Sequence, residues 1–449
     1  MLRTSISLAA LIAALASQPV LSADVAADAN VDAATATDAS ADSADSAGTD
    51  KHEESVVVTG SRKKTDVLGG VTALEPEELA HDLKPSLGDT LADLPGVSSS
   101  SFGPSSSRPI LRGLSGEDAP ILLDGLTSLD LPRRGAIAAL HAEARRLVGE
   151  PLGLAAARDA LARVPEGGVV AILTGFPEFP WIGRGVAETD GPVGAAVLAR
   201  AFVKARRAIP ILPCEPHFAP VIEAALRGMG LTPIPALGVE AKALQPGDPV
   251  CLVEATDEPV NAQRWLDARA PALVIAIERP GRAASGVYHS MSGRDVSHCL
   301  NTFEDIFQAA HQAGVWTIGI GDGGNEVGMG ALRDIVKAQV KAGAACGCGC
   351  GGGIAVESVS ASLVTAVVAN LGATAIAASM ALLTERRAVL PSPAMELRAL
   401  EACAAAGGVD GRHNECVASV DGLPAETYGA VLTLVADAVD RVFRDGSGA

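Results

Sequence analysis

Short apolar runs alternate with segments of helical periodicity over most of the chain beyond residue 135. The apolar runs are GVVAILTG, AIPILP, LTPIPAL, PVCLVEA, ALVIAIE and VWTIGIG. Between several of them lie VGAAVLARAFVKARR, APVIEAALRGMG and NAQRWLDARA, which place apolar residues at helical spacing. Strands that are buried on both faces read as continuous apolar runs, so this alternation predicts an α/β fold with a largely parallel sheet and helices on both faces.

The beginning of the chain has a different pattern. Residues 1–22 contain Arg3, the apolar stretch SLAALIAALAS and a small-residue end, which is the layout of a secretory signal peptide. Residues 23–54 are rich in Ala, Asp, Ser and Thr. Such a segment buries too little apolar surface to order itself, so it predicts a disordered acidic linker.

Residues 55–130 predict a small α+β unit. SVVVTGSR, PILRGL and APILLDGL have the composition of short strands, and LGDTLADLPGV has a helical pattern that stops at Pro95-Gly96. Residues 98–109 are rich in Ser, Gly and Pro and predict a loop.

The net charge and the hydropathy of the chain argue against a nucleic-acid partner and against a membrane span. The formal net charge is -18, and because phosphate binding needs basic patches, we expect no nucleic-acid partner. No charged residue occurs between Glu357 and Glu385, a length that could cross a bilayer. The stretch is nevertheless rich in Ala, Ser, Thr, Asn and Gly, so we expect a strand and a close-packed core helix there and no membrane span.

Polar loops follow several of the predicted strands. They are residues 174–195, 278–297 and 317–330, together with the segment around Asn370. Parallel α/β sheets bind their ligands outside the carboxyl ends of the strands, where the strand order reverses. We therefore expect the functional site to be built from these loops.

The first of these loops carries acidic and hydroxyl groups directly before a helix. Glu188, Thr189 and Asp190 precede Gly191-Pro192. Acidic groups there favourably face the positive end of the helix dipole, and simple capping of the helix is the alternative.

The second loop carries two arginines. Arg279 and Arg282 flank a Pro-Gly turn, and a guanidinium fork suits a carboxylate ligand. The alternative is a solvated pair that bonds Glu278 or Asp295.

The third loop, TIGIGDGGNEVGMG, concentrates glycine around Asp322, Asn325 and Glu326. Clustered glycine marks a backbone that turns tightly or approaches a ligand closely. The glycines that we expect to lie against a ligand are Gly321, Gly323 and Gly324.

The spacing in this loop also satisfies G-x-G-x-x-G after a strand, the dinucleotide fingerprint. Asp322 lies inside the fingerprint and Glu326 just beyond it, where carboxylates would repel a pyrophosphate. We therefore expect no nucleotide; these side chains suit a divalent cation or a substrate ammonium group. The alternative is that the acids cap the following helix ALRDIVKAQV.

All eight cysteines lie beyond residue 200, which argues against a disulfide framework. Cys346, Cys348 and Cys350 are close enough in sequence to bind a soft metal, but their spacing matches no zinc or iron–sulfur pattern. We favour buried or free thiols in a glycine-rich loop. We expect the loop histidines to be solvated and not catalytic: His217, His289 and His298.

Two family resemblances cover most of the chain. EESVVVTGSR, LADLPGV, FGPSSSRPILRGLSG and ILLDGL, within residues 50–130, resemble the N-terminal part of the plug domain of TonB-dependent outer-membrane receptors. The alternating ~10-residue segments that the remainder of such a receptor needs do not follow Asp130.

From Ala136 to Arg444 the motifs LTGFP, ETDGPVGAAVLARA, ERPGRAASGVYHSMSGRDVS, TIGIGDGGNEVGMG and ANLGATAIAA resemble the D-glutamate cyclase C-terminal domain family. This resemblance implies an enzyme that acts on a small glutamate-like amino acid and cyclises D-glutamate to 5-oxo-D-proline with loss of water. We accordingly divide the chain into residues 1–22, 23–54, 55–130 and 131–449.

We assign a role in this reaction to each candidate residue from the chemistry of its side chain. Arginines would hold carboxylates, and an acid would serve as general base or would hold a divalent cation, Mg²⁺ or Mn²⁺, that polarises the side-chain carboxylate. The expected catalytic residues are Asp322, Asn325 and Glu326; the expected substrate-binding residues are Arg279, Arg282, Gly321, Gly323, Gly324, Thr189, Asp190 and Asn370; the expected cation ligands are Glu188 and Asp322.

Two alternatives to an enzyme stay open: a receptor or binding module, and a non-functional chimera. The plug pattern stops between residues 130 and 135 without a flexible linker, whereas domain boundaries normally follow a complete core. The signal predicts a periplasmic or outer-membrane protein, whereas the unpaired cysteines of the enzyme part suit a reducing cytoplasm.

Overall fold

A computed structural model of the protein describes residues 97–101, 107–111, 114–115, 136–239 and 243–446. The chain divides into two compact units, and the described residues up to 115 belong to one and those from 136 to the other. The predicted signal, the acidic linker, SVVVTGSR and APILLDGL lie outside the described residues, as does LGDTLADLPGV except for Val97, the first residue of β1.

The described part of the first unit is a small antiparallel sheet. Its strands are β1 Val97–Ser101, β2 Ser107–Leu111 and β3 Leu114–Ser115. The predicted strand PILRGL is confirmed in part: residues 109–111 lie in β2, whereas Leu114 begins β3. The prediction of a loop over residues 98–109 is wrong at both ends, because Ser98 pairs with Ile110 and Ser101 with Ser107. Backbone hydrogen bonds form this ladder, and they need no apolar side chains.

The second unit is an α/β structure. Its strands are β4 Val169–Leu173, β5 Pro177–Glu178, β6 Val186–Ala187, β7 Ile209–Cys214, β8 Thr232–Pro235, β9 Val250–Ala255, β10 Leu273–Ile277, β11 Trp316–Gly321, β12 Ser362–Thr365, β13 Ser419–Val420 and β14 Leu423–Pro424. Its α-helices are α1 Ile137–Val148, α2 Leu152–Arg163, α3 Pro192–Arg206, α4 Ala219–Gly228, α5 Ala262–Arg269, α6 Glu304–Gln312, α7 Arg333–Gln339, α8 Ala369–Leu383, α9 Pro393–Ala405 and α10 Ala425–Gly446.

A seven-stranded sheet forms the centre, in the order β12-β11-β10-β4-β7-β9-β8, and every neighbouring pair is parallel. Each apolar run named above is one of these strands, and the predicted strand within the uncharged stretch is β12. The predicted α/β class and its parallel sheet are confirmed.

Helices cover both faces of the sheet. In β10, Leu273, Ile275 and Ile277 point into a core shared with α1, α2, α3, α4, α8 and α9. Val274 and Ala276 point into the opposite core, which α5 and α6 complete. Helix α8 carries no charge and packs against α3 and α2, so the expected close-packed core helix is confirmed. Among the helices of the described ranges, none combines the length and the apolar character that a membrane crossing needs.

The strand order creates a crevice between β4 and β10. From β4 the chain builds the sheet outward through β7 to β9 and β8, and it then returns to the other side of β4 with β10, β11 and β12. Connections that leave adjacent parallel strands in opposite directions open a ligand-binding crevice at the carboxyl ends. Thr174, Glu278 and Asp322 are the first residues after β4, β10 and β11.

Candidate active site

Acidic side chains are buried together at this carboxyl edge. Each is at most 6% exposed, and in the described part of the chain the group consists of Glu188, Asp190, Glu278, Asp322, Glu326 and Asp421. They arrive from four loops: between β6 and α3, after β10, after β11 and between β13 and β14. Burying several carboxylates this close is expensive unless protons, cations or hydrogen bonds neutralise them.

Asp322 lies at the centre of this carboxylate cluster. One oxygen from each of Asp190, Asp322 and Asp421 lies within 4.8 Å of the others, and the same holds for Glu278, Asp322 and Glu326. Asp322 is therefore common to two convergent groups. Glu188 is buried beside them and adds negative charge near Glu278.

Asp190 is fixed by the start of helix α8. Its Oδ2 accepts the Ala369 N–H at 2.8 Å, and its Oδ1 accepts the N–H of Asn370 at 2.8 Å and of Gly191 at 3.0 Å. Helix α3 also begins here, at Pro192. The positive ends of two helix dipoles thus stabilise the negative charge of Asp190.

Asn370 joins the starts of the same two helices. Its Oδ1 accepts the N–H of Gly191 at 3.0 Å and of Gly194 at 2.6 Å, and its Nδ2 donates to the Thr189 carbonyl at 3.1 Å. Thr189 Oγ1 donates to the Ser419 carbonyl at 2.7 Å. Both side chains were expected to contact substrate, and the structure shows them tying together the loops that carry the acids.

The glycine-rich loop wraps around a carboxylate of its own chain. Glu326 accepts the backbone N–H groups of Asp322 at 3.3 Å, Gly323 at 2.8 Å and Gly324 at 2.7 Å. A Cβ atom at Gly321 would lie 2.6 Å from Glu326 Cδ. The alternative that these acids cap the following helix is wrong, since neither Gly330–Leu332 nor α7 has a side-chain cap.

Asn325 Oδ1 and Glu278 Oε2 are buried polar atoms of the site, and neither has a hydrogen-bond partner among the described residues. The Asn325 side chain is held by its other end, since Nδ2 donates to the His289 carbonyl at 2.9 Å. An acceptor oxygen that is buried and unmatched is costly, which makes both atoms available to a ligand.

Glu278 has a backbone with positive φ and a carboxyl group with a raised pKa. Its φ is +40°, and that of Asp421 is +52°; such conformations strain a side-chain-bearing residue and cluster at functional sites. Burial, and then the negative charges of Glu326 and Asp190, raise the pKa of Glu278 well above its usual value. Glu278 accordingly holds its proton to a higher pH than an exposed glutamate does.

Sequence reasoning missed two members of the cluster. Glu278 stands directly after the apolar run ALVIAI, which is the signal that could have identified it as a site residue. Asp421 lies in a turn between two strands of two residues each, and no local sequence pattern distinguishes it.

The two predicted arginines bind carboxylates of the protein. Arg279 is 1% exposed and forms a bidentate pair with Glu215, Nη1 to Oε2 at 3.0 Å and Nη2 to Oε1 at 2.6 Å. Arg282 donates from Nε to Glu304 at 3.0 Å and also pairs with Asp305. The alternative pairing with Glu278 or Asp295 is therefore wrong, and Glu215, which directly follows β7, was missed.

A second convergent group combines the three loop thiols with a histidine. His289 Nε2 lies 3.4 Å from the Sγ atoms of both Cys348 and Cys350, and Cys346 Sγ lies 3.1 Å and 3.3 Å from them. The expectation of a solvated His289 is wrong, because this residue is 1% exposed. A hydrogen bond from the Ser285 side chain, aided by the Gly352 backbone, lowers the pKa of Cys350 to about 6.

The fold and the carboxylate cluster define a parallel α/β protein with convergent buried acids at its topological switch. Residues 123–435 match the family "D-glutamate cyclase-like, C-terminal", and the chain belongs to that family. Residues 63–143 match the TonB-dependent receptor plug domain. Both predicted resemblances are confirmed.

One curated relative shows the same kinship. D-glutamate cyclase, mitochondrial, of Homo sapiens is 32% identical over 185 residues, which cover 39% of this chain and 27% of that protein. The chain thus spans about a quarter of the length of the curated relative that it matches.

Proposed function

We propose that the protein is a D-glutamate cyclase-like lyase that converts D-glutamate to 5-oxo-D-proline and water at the carboxylate cluster. The observation that carries this proposal is the convergence of acids on Asp322 at the switch crevice, in a chain of this family. The relative's name supplies the substrate. The acids supply groups for the proton transfers that the reaction needs.

The reaction forms one bond and breaks one bond. The α-nitrogen attacks the side-chain carboxyl carbon, a C–N bond forms, and a C–O bond breaks. The ammonium nitrogen loses two protons, and both end on the departing oxygen, which leaves as water. The site must therefore take protons from nitrogen and return them to oxygen.

We assign the proton transfers to Asp322 and Glu278. Asp322 accepts a proton from the substrate ammonium as general base, and Glu278, whose pKa is raised, donates a proton to the departing oxygen as general acid. Their oxygen atoms lie within 4.8 Å of each other, so each of the two ammonium protons can pass in turn from Asp322 to Glu278 and on to the departing oxygen, which leaves both residues as they began. Asn325 Oδ1 is an acceptor for the ammonium N–H groups.

Glu326 has a positioning role in this proposal. Three backbone N–H groups hold its carboxylate, which favours the ionised form. A fixed negative charge beside Asp322 attracts the substrate ammonium. Gly321 leaves room for the Glu326 side chain, and the N–H groups of Gly323 and Gly324 bind its carboxylate. Thr189, Asp190 and Asn370 hold the loops of the site in place.

The donor set also fits a divalent cation such as Mg²⁺ or Mn²⁺. Carboxylate oxygens are the ligands that hard cations prefer, and Asp190, Asp322 and Asp421 would hold the ion in place of the expected pair of Glu188 and Asp322. When bound, the cation supplies positive charge that polarises the substrate carboxyl group. Arg282, whose side chain is 27% exposed, remains the arginine proposed to hold a substrate carboxylate; Arg279 supports the loop through Glu215.

The test uses the full chain with D-glutamate, followed by proton NMR for 5-oxoproline with and without Mg²⁺ or Mn²⁺. Asp322→Asn keeps the size of the side chain and removes the base, so turnover should be lost. Asp334→Asn, an exposed acid on α7, is the matched control and should keep turnover. Failure of the folded chain to form product with either cation, or undiminished turnover in Asp322→Asn, would reject the proposal.

We also propose an envelope location for the protein, supported by the match to the plug domain and by the signal-like residues 1–22. Fractionation of cells that express the full chain with a C-terminal tag tests this. We expect the tag in the periplasmic or outer-membrane fraction, and in the cytoplasm when residues 2–22 are deleted. The same cytoplasmic distribution for both forms would reject it.

A further inference from the structure

Cys346, Cys348, Cys350 and His289 form a soft-donor cluster separate from the carboxylates. The four ligand atoms lie within 4.8 Å of one another, and the individual contacts measure 3.1–3.4 Å. A tetrahedral zinc site with Zn–S near 2.3 Å and Zn–N near 2.0 Å separates its ligand atoms by about 3.5–3.8 Å. Lengthening these contacts by about 0.1–0.7 Å would bring them to the separations of a tetrahedral zinc site.

The sequence and hydrogen bonding of the loop favour this cluster. The loop reads ACGCGCGGG, and its glycines let every second residue present a thiol on the same side. Cys346 N donates to the Gly352 carbonyl at 2.7 Å, which closes the loop. A Cβ added at Gly293, four residues after His289, would lie 3.0 Å from Cys346 Cβ, so the loop packs directly on the segment that carries the histidine.

The two ring nitrogens of His289 lack strong hydrogen-bond partners among the described residues. His289 is 1% exposed, and its Nδ1 has no hydrogen-bond partner among the described residues. Its Nε2 meets only thiols in the contacts above, and thiols are weak hydrogen-bonding groups. A buried imidazole in this position gains a strong bond if Nε2 binds a metal ion.

We propose that these four residues form a structural Zn²⁺ site of the three-cysteine, one-histidine type. A closed tetrahedral set of soft donors suits zinc and leaves no position for a substrate.

The site would fasten the loop that carries the candidate active site. The carbonyl of His289 accepts the Asn325 side-chain N–H at 2.9 Å, and Met291 Sδ would lie 2.3 Å from a Cβ added at Gly323. Zinc binding would thereby tie residues 346–350 to the segment against which the glycine-rich loop rests. Its role is to position that loop, without touching the substrate.

The test measures zinc binding itself. The full chain is purified without oxygen, stripped of metal, and titrated with Zn²⁺ against a coloured chelator, and then with Co²⁺ as an optical probe. Wild type should take up one tight equivalent, and Co²⁺ should give thiolate charge-transfer bands with tetrahedral ligand-field bands. The triple variant Cys346→Ser, Cys348→Ser, Cys350→Ser should lose both. Cys416→Ser, which removes an exposed cysteine, should keep both.

Two further variants test the zinc site. Asp322→Asn should retain the thiolate–cobalt bands, which separates this site from the carboxylate cluster. If the triple variant does not fold, Cys350→Ser alone should reduce the thiolate–cobalt intensity by about a third, since one of three thiolates is gone. Equal zinc uptake by the triple variant, cobalt spectra without thiolate bands, or a disulfide among the three cysteines in place of zinc uptake would each overturn the proposal.

Discussion

Asn370 donates its backbone N–H to Asp190 Oδ1 at 2.8 Å, while its side chain accepts N–H groups from the first turn of the neighbouring helix. One residue of α8 thus joins the starts of α3 and α8 and orients an acid of the carboxylate cluster. The bonds are all buried, so water cannot replace them when the side chain is removed.

Asn370→Ala should lower the free energy of unfolding by about 2–4 kcal/mol, because the buried Gly194 N–H and Thr189 carbonyl lose the bonds to this side chain and the Gly191 N–H keeps only its bond to Asp190. Urea denaturation followed by circular dichroism measures this. The control is Asn261→Ala at the start of α5, where one exposed bond to Arg264 N is lost, with an expected change of about 1 kcal/mol. Equal effects in the two variants would contradict the assigned role of Asn370.

Glu215→Gln should destabilise the protein by about 3–5 kcal/mol, because the buried charge of Arg279 is left uncompensated. The exposed pair of Arg158 and Glu150 provides the control, and Glu150→Gln should change stability by at most about 0.5 kcal/mol. The same urea experiment compares them. A mild Glu215→Gln with a raised KM for D-glutamate would instead identify Arg279 as a substrate ligand.

Glu396 should make stability depend on pH. It is buried, and desolvation raises its pKa to about 7 from 4.5, although Tyr428 and Thr374 donate hydrogen bonds to it. The folded state therefore holds this proton more tightly than the unfolded state, so its contribution is full below about pH 4.5 and is lost as pH rises towards 7. Relative to Glu396→Gln, wild type should lose on the order of 3 kcal/mol over that window. If the urea midpoint of unfolding changes with pH in the same way for both proteins between pH 4.5 and 7, Glu396 does not have this role.

Glu278→Gln should remove the proposed general acid. Turnover should fall by about 10²–10⁴-fold, and the residual rate should lose its pH dependence on the alkaline side. In wild type the acid works only while protonated, so the rate should decline as pH rises through the raised pKa of Glu278. NMR rates across pH test both statements; an alkaline limb that persists in the variant would assign it to another group.

The sequence was sufficient for the sheet because its central strands β4 and β10 read as continuous apolar runs. Ala171, Val274 and Ile318 are fully buried in the central strands, and burial on both faces is what the runs encode. The loops after these runs were correctly expected to meet at one edge, which brought Asp190, Asp322 and Glu326 together.

Partners within the site were harder to predict, because they depend on three-dimensional contacts. Nothing local indicates that Glu215 meets Arg279, or that His289 meets cysteines 57 or more positions later. The strand Val97–Ser101 was missed because its serines have no apolar pattern, and only pairing with β2 makes it a strand.

The turn between β13 and β14 has a consequence for biosynthesis. The central sheet has all its strands once Thr365 is made, but Asp421 joins the acids only when the hairpin that carries it has emerged. A chain that stops between these points could assemble the sheet and yet lack a member of the carboxylate cluster. Catalytic competence should therefore be acquired late in translation, after the architecture is already in place.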